Sequence, residues 1–112
     1  MTDNSLIRTA RSMAPSLSRG MAFVYFLRLR SGSIYVGCTI DLEQRLRDHH
    51  RGVACHTTEQ DPPIDLLRLE RCADFAAARK REAQLKKWSG QKKEALVRGN
   101  LDRLQRLARS HD

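Results

Sequence analysis

Two strand-forming runs separated by a glycine turn constrain this chain more than any other feature. Ala22–Arg30 (AFVYFLRLR) and Ser33–Cys38 (SIYVGC) are rich in aromatic and β-branched residues, and Arg30-Ser31-Gly32 between them signals a β-hairpin. Loop length sets the register, and a shift of one residue moves every side chain to the other face. A two-residue loop pairs Arg30 with Ser33 and sends Tyr25 and Tyr35 to opposite faces. A three-residue loop pairs Leu29 with Ser33 and puts Gly32 where such loops want a left-handed residue. Tyr25 then lies opposite Gly37, Leu27 opposite Tyr35, and the two tyrosines become diagonal neighbours about 7 Å apart at the backbone. We expect the three-residue loop, because Gly37 leaves space above Tyr25.

After the hairpin the pattern turns helical. Asp41 caps a helix to Arg51, with Gln44 three residues later, and Gly52 ends it. Residues 53–63, with Pro62-Pro63, read as a loop, and Ile64–Glu70 as a third strand for which a helical turn is the alternative. Asp74 caps a second helix to Trp88, Ser89 a third over Gly90–Arg98, and Asn100 a last one over Leu101–Ser110. The expected fold class is α+β, a small three-stranded antiparallel sheet flanked by helices. Residues 1–20, rich in Ser and Arg with few bulky apolar residues, are expected to be a disordered leader, 21–98 the domain, and 99–112 a C-terminal helix. The face of that helix formed by Leu101, Leu104, Leu107 and Ala108 is expected to pack on the core.

Charge narrows the function. The chain of 112 residues carries a net charge of +8, which favours an anionic partner such as nucleic acid. No apolar run approaches the roughly 20 residues of a membrane span. Cys38, Cys55 and Cys72 form no CxxC pair, and their odd number fits free thiols in a reducing cytoplasm. The positive charge concentrates between residues 79 and 93, where Arg79, Lys80, Arg81, Lys86, Lys87, Lys92 and Lys93 face one acid, Glu82. Such a segment fits a phosphate backbone without reading sequence; a solubilising helix face is the plainer alternative.

Within that segment Glu82 stands out. It falls on the apolar stripe of its helix (Phe75, Ala78, Leu85, Trp88), where a carboxylate needs a cation, hydrogen bonds or an opening to water. Lys86, four residues on, can supply the cation, and a divalent ion is the other candidate. On the first helix Arg45 and His49 share a face beside Leu42 and Leu46 and suit phosphodiester chemistry, whereas Arg47 and His50 point to the surface. His49, His50, Cys55 and His56 are zinc-ligand types, but adjacent His-His and Cys-His pairs are poor spacings for a zinc site.

Taken in order, Val24-Tyr25-Phe26, Tyr35-Val36-Gly37, Thr39-Ile40-Asp41-Leu42 with Arg45, Leu46 and His49, Gly52, Arg81-Glu82, Leu85-Lys86-Lys87-Trp88 and Lys93-Glu94-Ala95-Leu96 resemble the GIY-YIG nucleases, in particular their small stand-alone bacterial branch. The resemblance covers about residues 22–97. It implies a three-stranded antiparallel sheet, one divalent ion (Mg²⁺ or Mn²⁺) held by Glu82, and a catalytic set of Tyr25, Tyr35, Arg45, His49 and Glu82, with Gly37 structural. Tyr25 is the expected base, with Tyr35 and His49 orienting water or sharing the proton. A phenol with an ordinary pKa near 10 is then expected to need lowering by nearby cations. The chain departs from the family in four places. The leading glycine pattern of the first motif is absent at Phe23-Val24-Tyr25, and Cys38 follows Gly37 where some relatives carry lysine. Ser-Gly-Gln-Lys-Lys at 89–93 lacks the asparagine of many relatives, and Cys55-His56-Thr57-Thr58-Glu59 replaces a basic segment.

The expected activity is a metal-dependent endonuclease acting on DNA phosphodiesters, with branched, single-stranded or damaged DNA in repair or recombination as substrate and RNA as an alternative. A monomer with no membrane association is expected. The competing readings are a nucleic-acid-binding module without useful catalysis, and a nuclease subunit that needs a partner docked on the Leu101, Leu104 and Leu107 face.

Overall fold

The computed structural model describes residues 4–14 and 20–109 of the chain. Three strands, β1 (Ala22–Leu29), β2 (Ile34–Thr39) and β3 (Pro63–Cys72), form one antiparallel sheet in the order β2-β1-β3. The helices are α1 (Ser5–Met13), α2 (Leu42–His50), α3 (His56–Gln60), α4 (Phe75–Lys86), α5 (Gly90–Val97) and α6 (Leu101–Arg109). The α+β class and the antiparallel sheet are those expected.

The central position of β1 explains its nearly continuous apolar run, because both faces of the sheet are covered. Residues 22–27 are all at most 3% exposed. Strand alternation divides them. Phe23, Tyr25, Leu27 and Leu29 join Leu42 and Leu46 of α2 and Leu66 of β3. Ala22, Val24 and Phe26 join Val36 of β2, Ala78 and Leu85 of α4 and Leu96 of α5. A bidentate ion pair, Arg28 Nη1 and Nη2 donating to Glu94 Oε1 and Oε2 at 2.7 Å each, ties α5 to β1.

The hairpin closes with the three-residue loop. Leu29 N–H donates to Ser33 O and Gly32 N–H to Leu29 O, both at 2.9 Å, and Gly32 has φ of 97°, which glycine adopts without strain. Tyr25 pairs with Gly37, and Leu27 with Tyr35. The expected caps form: Asp41, Asp74, Ser89 and Asn100 each accept from a backbone N–H three residues on, at 3.3, 2.8, 3.1 and 3.1 Å.

Four expectations need correction. Residues 5–13 are not a disordered leader. Asn4 caps α1, and Leu6, Ile7 and Ala10 pack into the cluster beneath β1, with Arg11 paired to Glu43 at 2.9 Å. The short apolar stripe suffices because Ala10, 0% exposed, lets the helix lie close to the sheet. The remainder of the leader, residues 1–3 and 15–19, lies outside the described residues, as does the expected helix end at Ser110. Residues 53–63 are not all loop, since α3 occupies 56–60. Phe75 opens α4 at 42% exposure, leaving Ala78 and Leu85 as the fully buried part of the stripe. The face of α6 does not pack as expected: none of its residues is buried, Leu101 is 66% exposed, and Leu104 touches the second cluster.

Candidate active site

The hairpin register puts both tyrosines on the α2 face of the sheet, with ring centroids 6.4 Å apart. His49 comes down from α2 between them, edge-on to each ring at 5.4 and 5.3 Å. Its imidazole is 1% exposed and hydrogen-bonded at both ends, Nε2 to Tyr25 Oη at 2.7 Å and Nδ1 to Thr58 Oγ1 at 2.9 Å. Gly37 makes room for this pair. A Cβ there would lie 2.5 Å from Tyr25 Cζ and 2.9 Å from Cε2.

Arg45, one turn before His49 and half-buried, brings a positive charge that acts on both phenols. Glu82 stands on α4, which packs on the other face of the sheet. Flanked by Ala78 and Leu85, its side chain is 22% exposed. Its charge acts on Tyr25 and Tyr35, and burial together with this charge raises the Cys38 thiol. Lys86 pairs with it at 3.6 Å, as the spacing predicts, and sits 5.5 Å from the Tyr35 ring centroid. Tyr25, Tyr35 and His49 are thus in ring contact, and the charges of Arg45 and Glu82 act on both phenols.

The ionisation states differ from the sequence expectation. Burial, followed by the neighbouring Tyr35, pushes the Tyr25 phenol well above its ordinary range; Arg45 opposes this and loses. Tyr35 is pushed up as well, chiefly by burial. Nearby cations thus do not lower either phenol. Burial and then Arg45 hold His49 down at about 4, so its ring is neutral at pH 7. A neutral imidazole has one N–H. The buried Tyr25 hydroxyl must donate, and Nε2 is its acceptor, so the proton sits on Nδ1 and is donated to Thr58 Oγ1.

This depressed pKa makes stability pH-dependent. The unfolded imidazole titrates at 6.5, so between about 4 and 6.5 the unfolded chain binds the extra proton. The contribution is complete above 6.5 and is lost as pH falls toward 4, amounting to about 3 kcal/mol. Urea unfolding at pH 7 and pH 4 should show that much less pH dependence in His49→Gln than in the wild type; parallel curves would contradict the assignment.

The basic segment divides in two. Arg79, Lys80, Lys86 and Lys87 are exposed and Lys93 is half-buried. Arg81 instead donates to Glu70 at 2.8 and 3.1 Å and lies 5.5 Å from the Trp88 ring centroid. Lys92 is 9% exposed, with Nζ 4.2 Å over the same ring. Glu70 and the Trp88 ring thus engage Arg81, and the Trp88 ring engages Lys92. His50 and Arg47 are exposed, as expected.

Two residues take a place at the site that the sequence does not signal. Thr58, 0% exposed on α3, holds His49, and Cys55 at the start of α3 contacts both Thr58 and Tyr35. A five-residue helix carries no periodic signal, and a threonine nine positions after a histidine carries none either. The same contacts engage His49 and Cys55 with hydroxyls, away from any shared zinc site. Among the described residues no three His, Cys, Asp or Glu side chains converge to hold a metal. What fits is a hard cation held by the partly exposed Glu82 carboxylate and otherwise by water and substrate phosphate, the arrangement Mg²⁺ accepts.

An antiparallel hairpin with its two tyrosines, a histidine and an arginine from the next helix, and a glutamate from α4 lie on an α+β domain of the kind the motifs resemble. Residues 21–95 match the family model described as the GIY-YIG catalytic domain. A UPF0213 protein of Syntrophus aciditrophicus is 34% identical over 83 residues, covering 73% of this chain and 95% of the relative. One from Haloquadratum walsbyi is 31% identical over 80 residues (71% and 90%), and one from Xanthomonas axonopodis pv. citri 39% over 64 residues (57% and 63%). No solved structure matches the chain. The chain belongs to the GIY-YIG family of nucleases. Among the described residues no helix is long and apolar enough to cross a membrane.

Proposed function

We propose that this protein is a divalent-metal-dependent endonuclease that hydrolyses DNA phosphodiester bonds, selects its substrate by DNA structure, and serves repair or recombination in the cytoplasm. The observation that carries the reading is the buried Tyr25–His49 hydrogen bond, 2.7 Å long, set beside Arg45 and within reach of the Glu82 charge.

The raised phenol pKa values shape the chemistry. A free phenolate is too costly at neutral pH, so Tyr25 acts as a relay: it takes a proton from the attacking water as its own passes to His49 Nε2. His49 is neutral at pH 7, so Nε2 carries the lone pair that receives this proton as it passes. Tyr35, the more exposed phenol, orients the water, and Arg45 stabilises the charge growing on the phosphate. Glu82 would hold the Mg²⁺ or Mn²⁺, which supplies Lewis-acid stabilisation of the phosphate and the leaving oxygen.

Arg79, Lys80, Lys86, Lys87 and Lys93 supply the backbone contacts. Lys80 and Lys87, seven apart, share a stripe of α4 and its C-cap away from Glu82. Replacing both by Ala should lower DNA affinity and flatten its log-log salt slope by about 0.9 for each phosphate no longer neutralised, with the divalent requirement intact. An unchanged salt slope in fluorescence anisotropy would remove these two residues from the interface. The reading as a whole is tested on labelled single-stranded, duplex, flap and junction DNA, and on RNA, with Mg²⁺, with Mn²⁺ and with EDTA. Divalent-dependent cuts on one structure support it, and salt-sensitive binding without cuts favours a binding module.

A further inference from the structure

A line of hydrogen bonds through the Cys55 thiol joins the two tyrosines. Cys55 Sγ is 3.6 Å from Tyr35 Oη, to which the S–H donates, and 3.4 Å from Thr58 Oγ1. Thr58 Oγ1 is 2.9 Å from His49 Nδ1, and His49 Nε2 is 2.7 Å from Tyr25 Oη. The proton positions along this line are determined by satisfaction. Tyr25 donates to Nε2, so Nδ1–H donates to Thr58. Thr58 O–H then turns to Cys55 Sγ, and Cys55 S–H to Tyr35 Oη. Every buried donor is used; among the described residues the one buried side-chain polar atom without a partner is Asn4 Nδ2, far along the chain. The Tyr35 hydroxyl proton is left over, with its oxygen already accepting, and points away from the network.

We infer that Cys55 is a positioning residue: by accepting from Thr58 and donating to Tyr35 it fixes the direction of all five hydrogen-bonding groups, locks His49 as the Nδ1–H tautomer that can receive the Tyr25 proton, and leaves Tyr35 O–H free to donate to water or phosphate. The residue falls within the segment where this chain departs from the motifs it otherwise resembles. The catalytic consequence rests on the nuclease reading; the tautomer lock does not.

Removing the thiol leaves Thr58 O–H without its acceptor. Thr58 then competes with Tyr25 for the single acceptor nitrogen of the neutral ring; whenever Thr58 donates to His49 Nδ1 the ring proton moves to Nε2 and transfer from Tyr25 is blocked. The test compares wild type, Cys55→Ala and Cys55→Ser by ¹⁵N NMR of the histidine ring at pH 7, with kcat and KM for DNA cleavage alongside. Cys55→Ala should shift His49 from Nδ1–H toward Nε2–H and lower kcat by about tenfold, the effect of one hydrogen bond, with KM unchanged. Cys55→Ser, which keeps one donor and one acceptor, should restore both. Thr58→Val cuts the same line one group earlier and gives a second means of displacing the tautomer should Cys55→Ala unfold. An unshifted His49 tautomer in folded Cys55→Ala, or in Thr58→Val, would overturn the inference. A shifted tautomer in a protein that cleaves no DNA would sustain the network and reject the nuclease reading instead.

Discussion

Glu82→Ala is expected to abolish divalent-dependent cleavage, by about 10³-fold or more, while DNA binding stays as tight as in the wild type or tightens slightly. The carboxylate is the one acid among the bases of residues 79–93, so its removal adds to the positive field that attracts DNA. Its side chain is 22% exposed and its ion pair with Lys86 is long at 3.6 Å, so little stability depends on it. Cleavage and affinity should therefore separate in this variant, with the melting temperature nearly unchanged. Glu82→Gln, which keeps the shape and the hydrogen-bonding capacity but not the charge, should be as inactive as Glu82→Ala. Cleavage at the wild-type rate in either variant would remove Glu82 from the metal site.

Gly37→Ala is expected to lower stability by about 2–5 kcal/mol, through overpacking and through loss of the Tyr25–His49 hydrogen bond. The added Cβ would stand 2.5 Å from Tyr25 Cζ, and the ring has nowhere to retreat. Tyr25 is on the central strand, 2% exposed, and fixed at its tip by an imidazole that α2 and Thr58 hold from behind. Pushing the ring aside leaves His49 Nε2 buried without a donor. For a domain of this size the loss corresponds to a fall in Tm of roughly 10–30 °C. The cost is one of steric overlap, so Gly37→Ala combined with Tyr25→Ala should be far less destabilised than the sum of the single variants. A Gly37→Ala protein with the wild-type Tm would show that the close approach of β2 to Tyr25 is wrong.

Much of this arrangement was legible in the sequence because a few residues impose geometry by themselves. Gly32 selected the hairpin loop, the loop selected the register, and the register placed Tyr25 under Gly37 and beside Tyr35. Helical periodicity placed Glu82 on a core-facing stripe between Ala78 and Leu85, and Arg45 with His49 on one face of α2. Reading failed where tertiary contacts decide. The helix α1 is anchored by Ala10 as much as by Leu6 and Ile7, and an alanine looks like no anchor until a sheet lies against it. In α3, Thr58 and Cys55 matter through partners on α2 and β2, distant in sequence. Arg81 and Lys92 look like their basic neighbours, yet Glu70 and Trp88 claim them. The phenol pKa values were misjudged for a related reason: sequence shows which charges are near but not how much water is excluded, and burial outweighs Arg45.

The central claim is that Tyr25 relays a proton in phosphodiester hydrolysis, and Tyr25→Phe tests it most directly. The change deletes one hydroxyl from a packed ring and leaves the aromatic contacts with Tyr35 and His49 in place. Cleavage of end-labelled flap and junction DNA in Mg²⁺ or Mn²⁺ should be measured for both proteins, with affinity read by anisotropy in the presence of EDTA. The predicted result is divalent-dependent cleavage by the wild type, a loss of about 10²–10⁴-fold in Tyr25→Phe, and equal affinity for DNA. Equal cleavage by the two proteins, or tight binding with no cleavage by the wild type on any substrate, would contradict it.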